Sequence, residues 1–332
     1  MNPPENILLI RLKSIGDVVL TLPAVHAVRD HFQSSKITYL TSRENAPLLR
    51  GFSNIDEVIP LDRAAFQSGN LKTACATAVK LLRDLRRRKF SLAIDFQGYG
   101  ETEFFSWWSG APERWGCVYR PARGWFYTRG VRRNNDIPIA DWNLSLLRRC
   151  GFRVGEIRNE YALPEDALAE ARKFFAANHL AENRPTLFLQ PFTSSPWKNW
   201  PLENFYELAR HFHSRGTQII FGGGPSERAA LEPAQGMGFI VAAGTPLLVS
   251  AGLMKLSTIV VGGVTGLLHL AVAMQKRVVM LVGPDHEPGF PYQHHDWGIT
   301  PSTGENVSEI KIGAVIEACA GAFSEPGIIA SH

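Results

Sequence analysis

Cysteine is scarce in this chain. Its 332 residues include four cysteines, at positions 75, 117, 150 and 319, without a CxxC pair or a Cys/His spacing suited to zinc. Cysteines so far apart disfavour both a metal site and a disulfide scaffold. We therefore expect no bound metal and a cytoplasmic protein.

Long apolar runs are also missing. The run Ile7 to Ile10 is interrupted by Arg11 and Lys13, which makes it too short for the core of a signal peptide or for a membrane span. No later segment reaches 18 uninterrupted apolar residues. We expect a soluble protein, which can still work at a membrane surface.

Charge of either sign shows little excess. Lys and Arg number 35 against 31 Asp and Glu, a net charge of +4, so the composition does not indicate a nucleic-acid partner. Hydrophobic residues make up 45% of the chain and charged residues 20%, which allows sizeable cores. No GxGxxG follows the first predicted strand, which disfavours a dinucleotide and hence a dehydrogenase.

Strands and helices alternate along the chain. The pattern predicts strands at 6–11, 37–40, 57–61 and 92–96, and again at 186–190, 218–221, 238–241, 258–261 and 278–282. Helices between them indicate two doubly wound, Rossmann-like α/β domains, at residues 1–165 and 166–332, facing an interdomain cleft. A last helix near 307–323 can pack on either domain.

Candidate functional residues follow the predicted strands. Asp17 lies just after the first strand, where a carboxylate can act as a general base or cap the following helix. After the first strand of the second half, Thr193, Ser194 and Lys198 suit a diphosphate, or belong to a plain polar loop.

A glycine-rich turn marks a further candidate at residues 261–270. Backbone N–H groups of Thr265 and Gly266 would bind an anion at a helix start, although glycine there also serves backbone geometry alone. His269 lies one helical turn further on, where its side chain can face the cleft or form a structural hydrogen bond. The segment around Thr245 ends another strand and can border a base and ribose.

Taken together, three motifs resemble the ADP-heptose:lipopolysaccharide heptosyltransferase family, glycosyltransferase family 9. They are the opening Ile7-Leu-Leu-Ile-Arg-Leu-Lys-Ser-Ile-Gly-Asp17, the Lys198-Asn-Trp-Pro201 loop, and Thr265-Gly266 with His269 and Val282-Gly-Pro284. The resemblance covers most of the chain outside residues 100–160. It implies the GT-B architecture, no cofactor or metal, and transfer of heptose from ADP-heptose to the lipopolysaccharide inner core with inversion.

The resemblance also implies roles for the candidates. Asp17 becomes the base that deprotonates the acceptor hydroxyl, and Lys198 stabilises the leaving phosphate. The implied donor contacts are Thr193, Ser194, Lys198, Thr245, Thr265, Gly266 and His269. An acceptor that is an anionic glycolipid implies a cytoplasmic protein with peripheral contact to the inner membrane.

An arginine-rich stretch with aromatic residues, 113–133, suits such an acceptor, or forms a solvated basic surface around a few core aromatics. We expect acceptor contacts from Lys13, Ser14, Arg114, Arg120 and Arg123. The basic run at 83–89 closes a helix, where cations favour the negative terminus, and we interpret it as mainly structural, with a minor role in attraction to a membrane.

One position departs from the family's pattern. Val264 stands where the family usually has Asp, which removes a carboxylate expected to bind hydroxyls of the donor sugar. A GT-B enzyme with another nucleotide-sugar donor therefore stays open. So do a sugar-nucleotide epimerase and a nucleotide-sugar-binding protein without turnover.

Overall fold

The computed structural model describes residues 4–67, 69–284, 289–302 and 306–325, and the chain divides into two compact units. The first unit ends at Glu160 and the second begins at Tyr161, five residues before the boundary that the sequence predicts. The GT-B-type pair of Rossmann-like domains predicted from the sequence is confirmed.

The first unit is a parallel six-stranded sheet with helices between its strands. The strands are β1 (Asn6–Ile10), β2 (Lys36–Ser42), β3 (Glu57–Leu61), β4 (Leu92–Asp95), β5 (Glu113–Val118) and β6 (Arg129–Arg132). The helices are α1 (Ile15–Val19), α2 (Leu22–His31), α3 (Ala64–Gln67), α4 (Leu71–Arg87), α5 (Gly100–Trp108) and α6 (Ile139–Arg149). The strand order is β3-β2-β1-β4-β5-β6.

The second unit repeats this topology. Its strands are β7 (Thr186–Gln190), β8 (Gln218–Gly223), β9 (Ile240–Ala243), β10 (Ile259–Gly263), β11 (Val278–Leu281) and β12 (Gly298–Ile299). Its helices are α7 (Glu165–Ala177), α8 (Leu202–His213), α9 (Glu232–Gly236), α10 (Leu247–Leu256), α11 (Gly266–Ala273) and α12 (Ile312–Ser324). The order β12-β11-β10-β7-β8-β9 again reverses direction beside the first strand.

The central strands are apolar because helices cover both faces of each sheet. Residues Ile7 to Ile10 of β1 and Leu187 to Leu189 of β7 are fully buried. The last helix, which the sequence could not assign to a domain, packs on the second unit through Val315, Cys319 and Ala322. It begins at Ile312 rather than at 307, since residues 307–309 form a separate 3₁₀ turn.

Candidate active site

Asp17 is held by one of its two carboxylate oxygens. Its Oδ2 forms an ion pair with Nη2 of Arg11 at 2.7 Å. The same oxygen accepts a hydrogen bond from the backbone N–H of Ser14 at 2.8 Å and lies 3.3 Å from the Ser14 hydroxyl. Ser14 is the N-cap of α1 and Asp17 is the third helical residue, so Asp17 completes a capping box. Among the described residues, every contact to this carboxylate is on Oδ2, which leaves Oδ1 available to accept a proton.

The guanidinium of Arg11 is itself fixed. It donates to the carbonyls of Phe96 at 2.6 Å and Lys13 at 3.0 Å, and the residue is 7% exposed. Burial lowers the pKa of Arg11, but the attraction of Asp17 and their hydrogen bond outweigh burial and raise that pKa above its usual value. Arg11 therefore stays cationic and orients Asp17.

The turn after β4 supports this arrangement from the neighbouring strand. Gln97 is fully buried, and its Oε1 accepts from the backbone N–H groups of Leu12 at 2.9 Å and Lys13 at 3.2 Å. Asp95 accepts from the N–H groups of Gln97 and Gly98 and from the Tyr127 hydroxyl at 2.7 Å. Burial raises the pKa of Asp95 above its usual range.

Sequence reasoning missed these supporting residues. The available signal was their place after β4, because the carboxyl ends of neighbouring parallel strands share one edge of the sheet. The chain leaves β1 and β4 in opposite directions, so this edge is the topological switch point, where doubly wound sheets bind ligands. Asp17 and Gln97 both stand there.

The predicted acceptor residues separate into two groups. Lys13 and Ser14 are exposed at the edge that carries Asp17, and Arg120 and Arg123 follow β5 at its carboxyl end. Arg114 instead lies near the start of β5 and donates to the carbonyls of Phe126 at 2.8 Å and Ala111 at 2.7 Å. The structure thus does not bring Arg114 to the acceptor edge, because its guanidinium holds two loops in place.

Arg123 has an intramolecular partner. Its Nη1 lies 3.5 Å from Oε2 of Glu103, a carboxylate whose side chain is 1% exposed. Burial raises the pKa of Glu103, while Arg123 lowers it. Arg120 is exposed at the same edge, so it is the better placed of the two to meet an anion.

In the second unit, the loops after β7 and β10 lie side by side. A Cβ on Gly263, at the end of β10, would stand 2.7 Å from Cγ2 of Thr193 and 3.2 Å from the Lys198 carbonyl. Only glycine allows this approach. Because β7 and β10 are the strands at which this sheet reverses direction, the predicted diphosphate residues stand at its switch point.

The loop after β7 is organised by hydrogen bonds of its own. The N–H and the hydroxyl of Thr193 each donate to Asn199 Oδ1 at 2.8 Å, and the same hydroxyl lies 2.9 Å from the carbonyl of Ser195. Ser194 is exposed. The Lys198 ammonium lies 4.8 Å from the centre of the Trp197 ring. Thr193 therefore shapes the loop, while the exposed Ser194 and the half-buried Lys198 do not take part in these side-chain hydrogen bonds.

The turn after β10 begins α11. Thr265 is the N-cap, and its hydroxyl accepts from the N–H of Leu268 at 3.3 Å. Gly266 is the first helical residue, and the N–H groups of this first turn point out of the helix. His269 is buried at 6% exposure. Val264 lines an apolar cavity of about 20 Å³ with Lys198 and Leu281.

Thr245 stands apart from these loops. It follows β9, two strands from β7, and its hydroxyl bonds to the Ala242 carbonyl at 3.2 Å and to the Ser250 hydroxyl at 2.6 Å. It lies at the carboxyl edge of the same sheet.

The described residues meet neither the requirements of a metal site nor those of a membrane span. In the described parts of the chain, no three His, Cys, Asp or Glu side chains cluster as a metal site would require. None of the helices described has the length and apolar character that crossing a bilayer requires.

Two Rossmann-like domains, one with a held carboxylate and one with a glycine-containing turn at its switch point, are the architecture of glycosyltransferases of the GT-B type. The family model of glycosyltransferase family 9 (heptosyltransferase) matches residues 78–309, and the chain belongs to this family.

Heptosyltransferases are also among the individual proteins to which this chain is similar. Lipopolysaccharide core heptosyltransferase OpsX of Haemophilus influenzae is 23% identical over 228 residues, 68% of this chain and 62% of that protein. The glycosyl transferase family 9 structure from Veillonella parvula has a TM-score of 0.86 at 22% identity, covering 96% of this chain and 97% of its own. E. coli heptosyltransferase WaaC with ADP-2-deoxy-2-fluoro heptose has a TM-score of 0.77 at 20% identity, covering 95% and 99%.

Proposed function

We propose that this glycosyltransferase moves a heptose from ADP-heptose to a sugar of the lipopolysaccharide inner core, with inversion at the anomeric carbon. Membership of family 9 supports the class of reaction, and the names of OpsX and of the WaaC complex support the acceptor and the donor. The observation that carries the chemistry is Asp17, fixed through Oδ2 with Oδ1 left open.

In the proposed reaction, the acceptor hydroxyl donates its proton to Oδ1 of Asp17. The acceptor oxygen then forms a bond to the anomeric carbon while the bond from that carbon to the diphosphate oxygen breaks. The electron pair leaves with ADP. A single displacement of this kind inverts the anomeric carbon, and it needs one base and one stabilised leaving group.

In this proposal, the second unit stabilises the leaving diphosphate of the donor. The N–H groups at the start of α11, at Thr265 and Gly266, and the Lys198 ammonium meet the diphosphate, since oriented N–H groups and a cation both favour the developing charge. Ser194 donates its hydroxyl to the phosphate. Thr193 acts by shaping the loop, Thr245 borders the nucleobase, and His269 lies near the sugar.

The first unit binds the acceptor in this proposal. Lys13, Ser14 and Arg120 are exposed polar residues at the edge that carries Asp17, and Arg123 follows β5 at the same edge, paired with Glu103. These cations suit the anionic groups of an inner-core glycolipid. Such an acceptor places the protein at the cytoplasmic face of the inner membrane, with peripheral contact to lipid.

Val264 favours a second candidate, the same chemistry with another donor sugar. Its side chain is aliphatic, and a site that lacks a hydrogen-bonding group loses selectivity for the corresponding hydroxyl. The two candidates share Asp17 and Lys198 and differ in the nucleotide-sugar donor.

The test is release of ADP from ADP-heptose by the purified chain, with and without deacylated inner-core acceptor. We expect release that depends on the acceptor, together with a product heavier by one heptose in mass spectrometry. Conversion of the donor without acceptor would indicate an epimerase. Release from another nucleotide-sugar but not from ADP-heptose would favour the second candidate.

A further inference from the structure

Helix α4 exposes an unusual outward face. In this fully described helix of 17 residues, Leu81 and Leu85 are the buried ones. Five cations and a single carboxylate, Asp84, make up its charged residues, and the net charge of the helix equals that of the whole chain. The cations are Lys72, Lys80, Arg83, Arg86 and Arg87.

These cations are available to a partner. None of the five forms an ion pair with any residue that the structure describes, whereas Asp84 binds Arg88 at 3.1 Å. Lys80, Arg83 and Arg87 follow one another at spacings of three and four residues, and Lys72 precedes Lys80 by two spacings of four, so all four lie on one side of the helix. A position at the C-terminal end of the helix explains Arg86 and Arg87, but not Lys72 in the first turn or Lys80 near the middle.

Apolar side chains stand among the cations. Leu71 is 80% exposed and Val79 is 51% exposed. Val79 and Arg83 line a groove that Trp108 of α5 closes. The exposed ring of Trp107 lies beside Trp108 and 6.3 Å from the exposed ring of Trp125. The apolar surface thus runs from α4 over α5 to the loop after β5.

The charge and the exposed apolar residues of α4 indicate which kind of partner this helix binds. A helix with cations on its outward side and exposed apolar residues between them is suited to lie at a bilayer surface, where Lys and Arg meet anionic headgroups. Trp side chains favour the same interfacial zone. The mixed charges on α8, which carries Glu203 and Glu207 beside Arg210, do not show this pattern.

We propose that α4, together with Trp107 and Trp125, is the surface through which this chain binds a bilayer that contains anionic lipid. We call it the lipid face. Its biological purpose rests on the proposed glycolipid acceptor, since it would bring the first unit to the membrane that holds that acceptor. In this proposal, attraction to a membrane, which the sequence predicts as a minor role of residues 83–89, becomes the main role of the cations on α4.

The chain offers a native site for the test. Cys75 is exposed and lies on the lipid face, while Cys117, Cys150 and Cys319 are buried. A maleimide-linked, polarity-sensitive dye on the folded chain will therefore label Cys75. We expect its emission to shift to the blue with vesicles of phosphatidylcholine and phosphatidylglycerol, and not with phosphatidylcholine alone. Raising the salt concentration should weaken the binding.

A triple variant measures the contribution of the cations. Replacing Lys80, Arg83 and Arg87 by Ser should weaken binding to the anionic vesicles about 100-fold, from about fivefold for each charge removed. The matched control replaces the exposed Lys173, Arg184 and Arg215 of the second unit by Ser and should bind nearly as the unchanged chain does. Melting temperatures of both variants check that they fold.

Three results would overturn the lipid face. They are no binding of the unchanged chain to anionic vesicles at low salt, equal weakening in both triple variants, or binding without a shift at Cys75. A shift that grows with protein concentration in the absence of vesicles would instead show that a second copy covers the face.

A parallel titration with ADP separates this inference from the proposed function. We expect the Lys80, Arg83 and Arg87 triple variant to bind ADP as the unchanged chain does. If ADP binds and vesicles do not, the lipid face alone fails. If vesicles bind and ADP does not, the proposed donor fails and the lipid face stands.

Discussion

At the scale of single residues, the environment of Asp17 decides what this carboxylate can do. Arg11 and Ser14 bind the same oxygen, so the side chain is oriented while its second oxygen stays open. Helix capping and base catalysis are therefore compatible roles. The sequence, which presents them as alternatives, cannot distinguish them because both require a carboxylate at this position.

The first prediction concerns Asp17→Asn. The amide keeps the size and the capping position but cannot take a proton, so we expect turnover to fall at least about a hundredfold with unchanged ADP affinity. Steady-state rates and calorimetry measure the two quantities. The control is Asp30→Asn, a surface carboxylate paired with Arg158, which should leave turnover unchanged. Near-normal turnover in Asp17→Asn would show that another group is the base.

The second prediction concerns Lys198→Ala. Losing a charge-assisted contact to phosphate should weaken ADP binding about tenfold or more. Lys173→Ala, which removes an exposed lysine paired with Glu170 in the same unit, should bind ADP normally. Equal ADP affinities for the two variants, measured by calorimetry, would count against a phosphate role for Lys198.

At the scale of secondary structure elements, the turn after β4 links the sheet to the site. Gly98 has a φ of +72°, and a Cβ there would stand 2.1 Å from the Cys117 carbonyl oxygen. The turn carries Gln97, which holds Leu12 and Lys13. A change at Gly98 therefore affects both the sheet and the position of Asp17.

The third prediction follows from this turn. Gly98→Ala should lower the free energy of unfolding by about 2–5 kcal/mol, the sum of left-handed strain and overpacking. Gly238→Ala is the matched control, since Gly238 has a φ of +86° but nothing within 4 Å of the added Cβ. It should lose about 1–2 kcal/mol, from strain alone. Equal losses in urea unfolding would mean that the sheet adjusts to the clash.

The elements show which parts of the fold the sequence can predict. Buried strands such as β1 and β7 are continuous apolar runs, and the sequence predicts them within one or two residues. It misses β5 and β6, because their charged residues, such as Glu113 and Arg129, break the apolar run near the edge of the sheet. The arginine-rich stretch 113–133 is therefore partly strand, and Arg114 belongs to its scaffold.

In the candidate site too, the sequence predicts the features that depend on neighbouring residues in the chain. Candidates directly after the central strands, Asp17 and Lys198, are predictable because strand ends and loop chemistry are local in sequence. Gln97 and Asp95 have only the signal of their place at the end of β4, since their contacts depend on neighbours that the strand order brings together. Nothing in the sequence around Glu103 predicts that this residue is buried beside Arg123.

At the scale of the whole molecule, stability should depend on pH through His26. Burial lowers the pKa of this histidine, as does nearby Arg158, while its hydrogen bond to the Glu160 carbonyl and the charges of Glu160 and Asp30 raise it. The net pKa lies below 6.5, so the unfolded chain binds more protons between the folded value and 6.5. His26 therefore contributes a loss of stability as the pH falls below about 6.5.

The fourth prediction tests this dependence with His26→Gln. Between pH 7.5 and pH 5.5, the midpoint of urea unfolding should fall less in this variant than in the unchanged chain. His213→Gln, at an exposed position of α8, should keep the full decrease. If the decrease is the same with and without His26, other groups control acid stability.

The central claim for the whole molecule is that it uses an adenine nucleotide-sugar as donor. The most direct measurement is calorimetric titration of the purified chain with ADP, UDP, GDP, CDP and dTDP under identical conditions. We predict that ADP binds at least about tenfold more tightly than each of the others, a difference of about 1.4 kcal/mol. Tighter binding of another nucleotide, or no binding of any, would contradict the account.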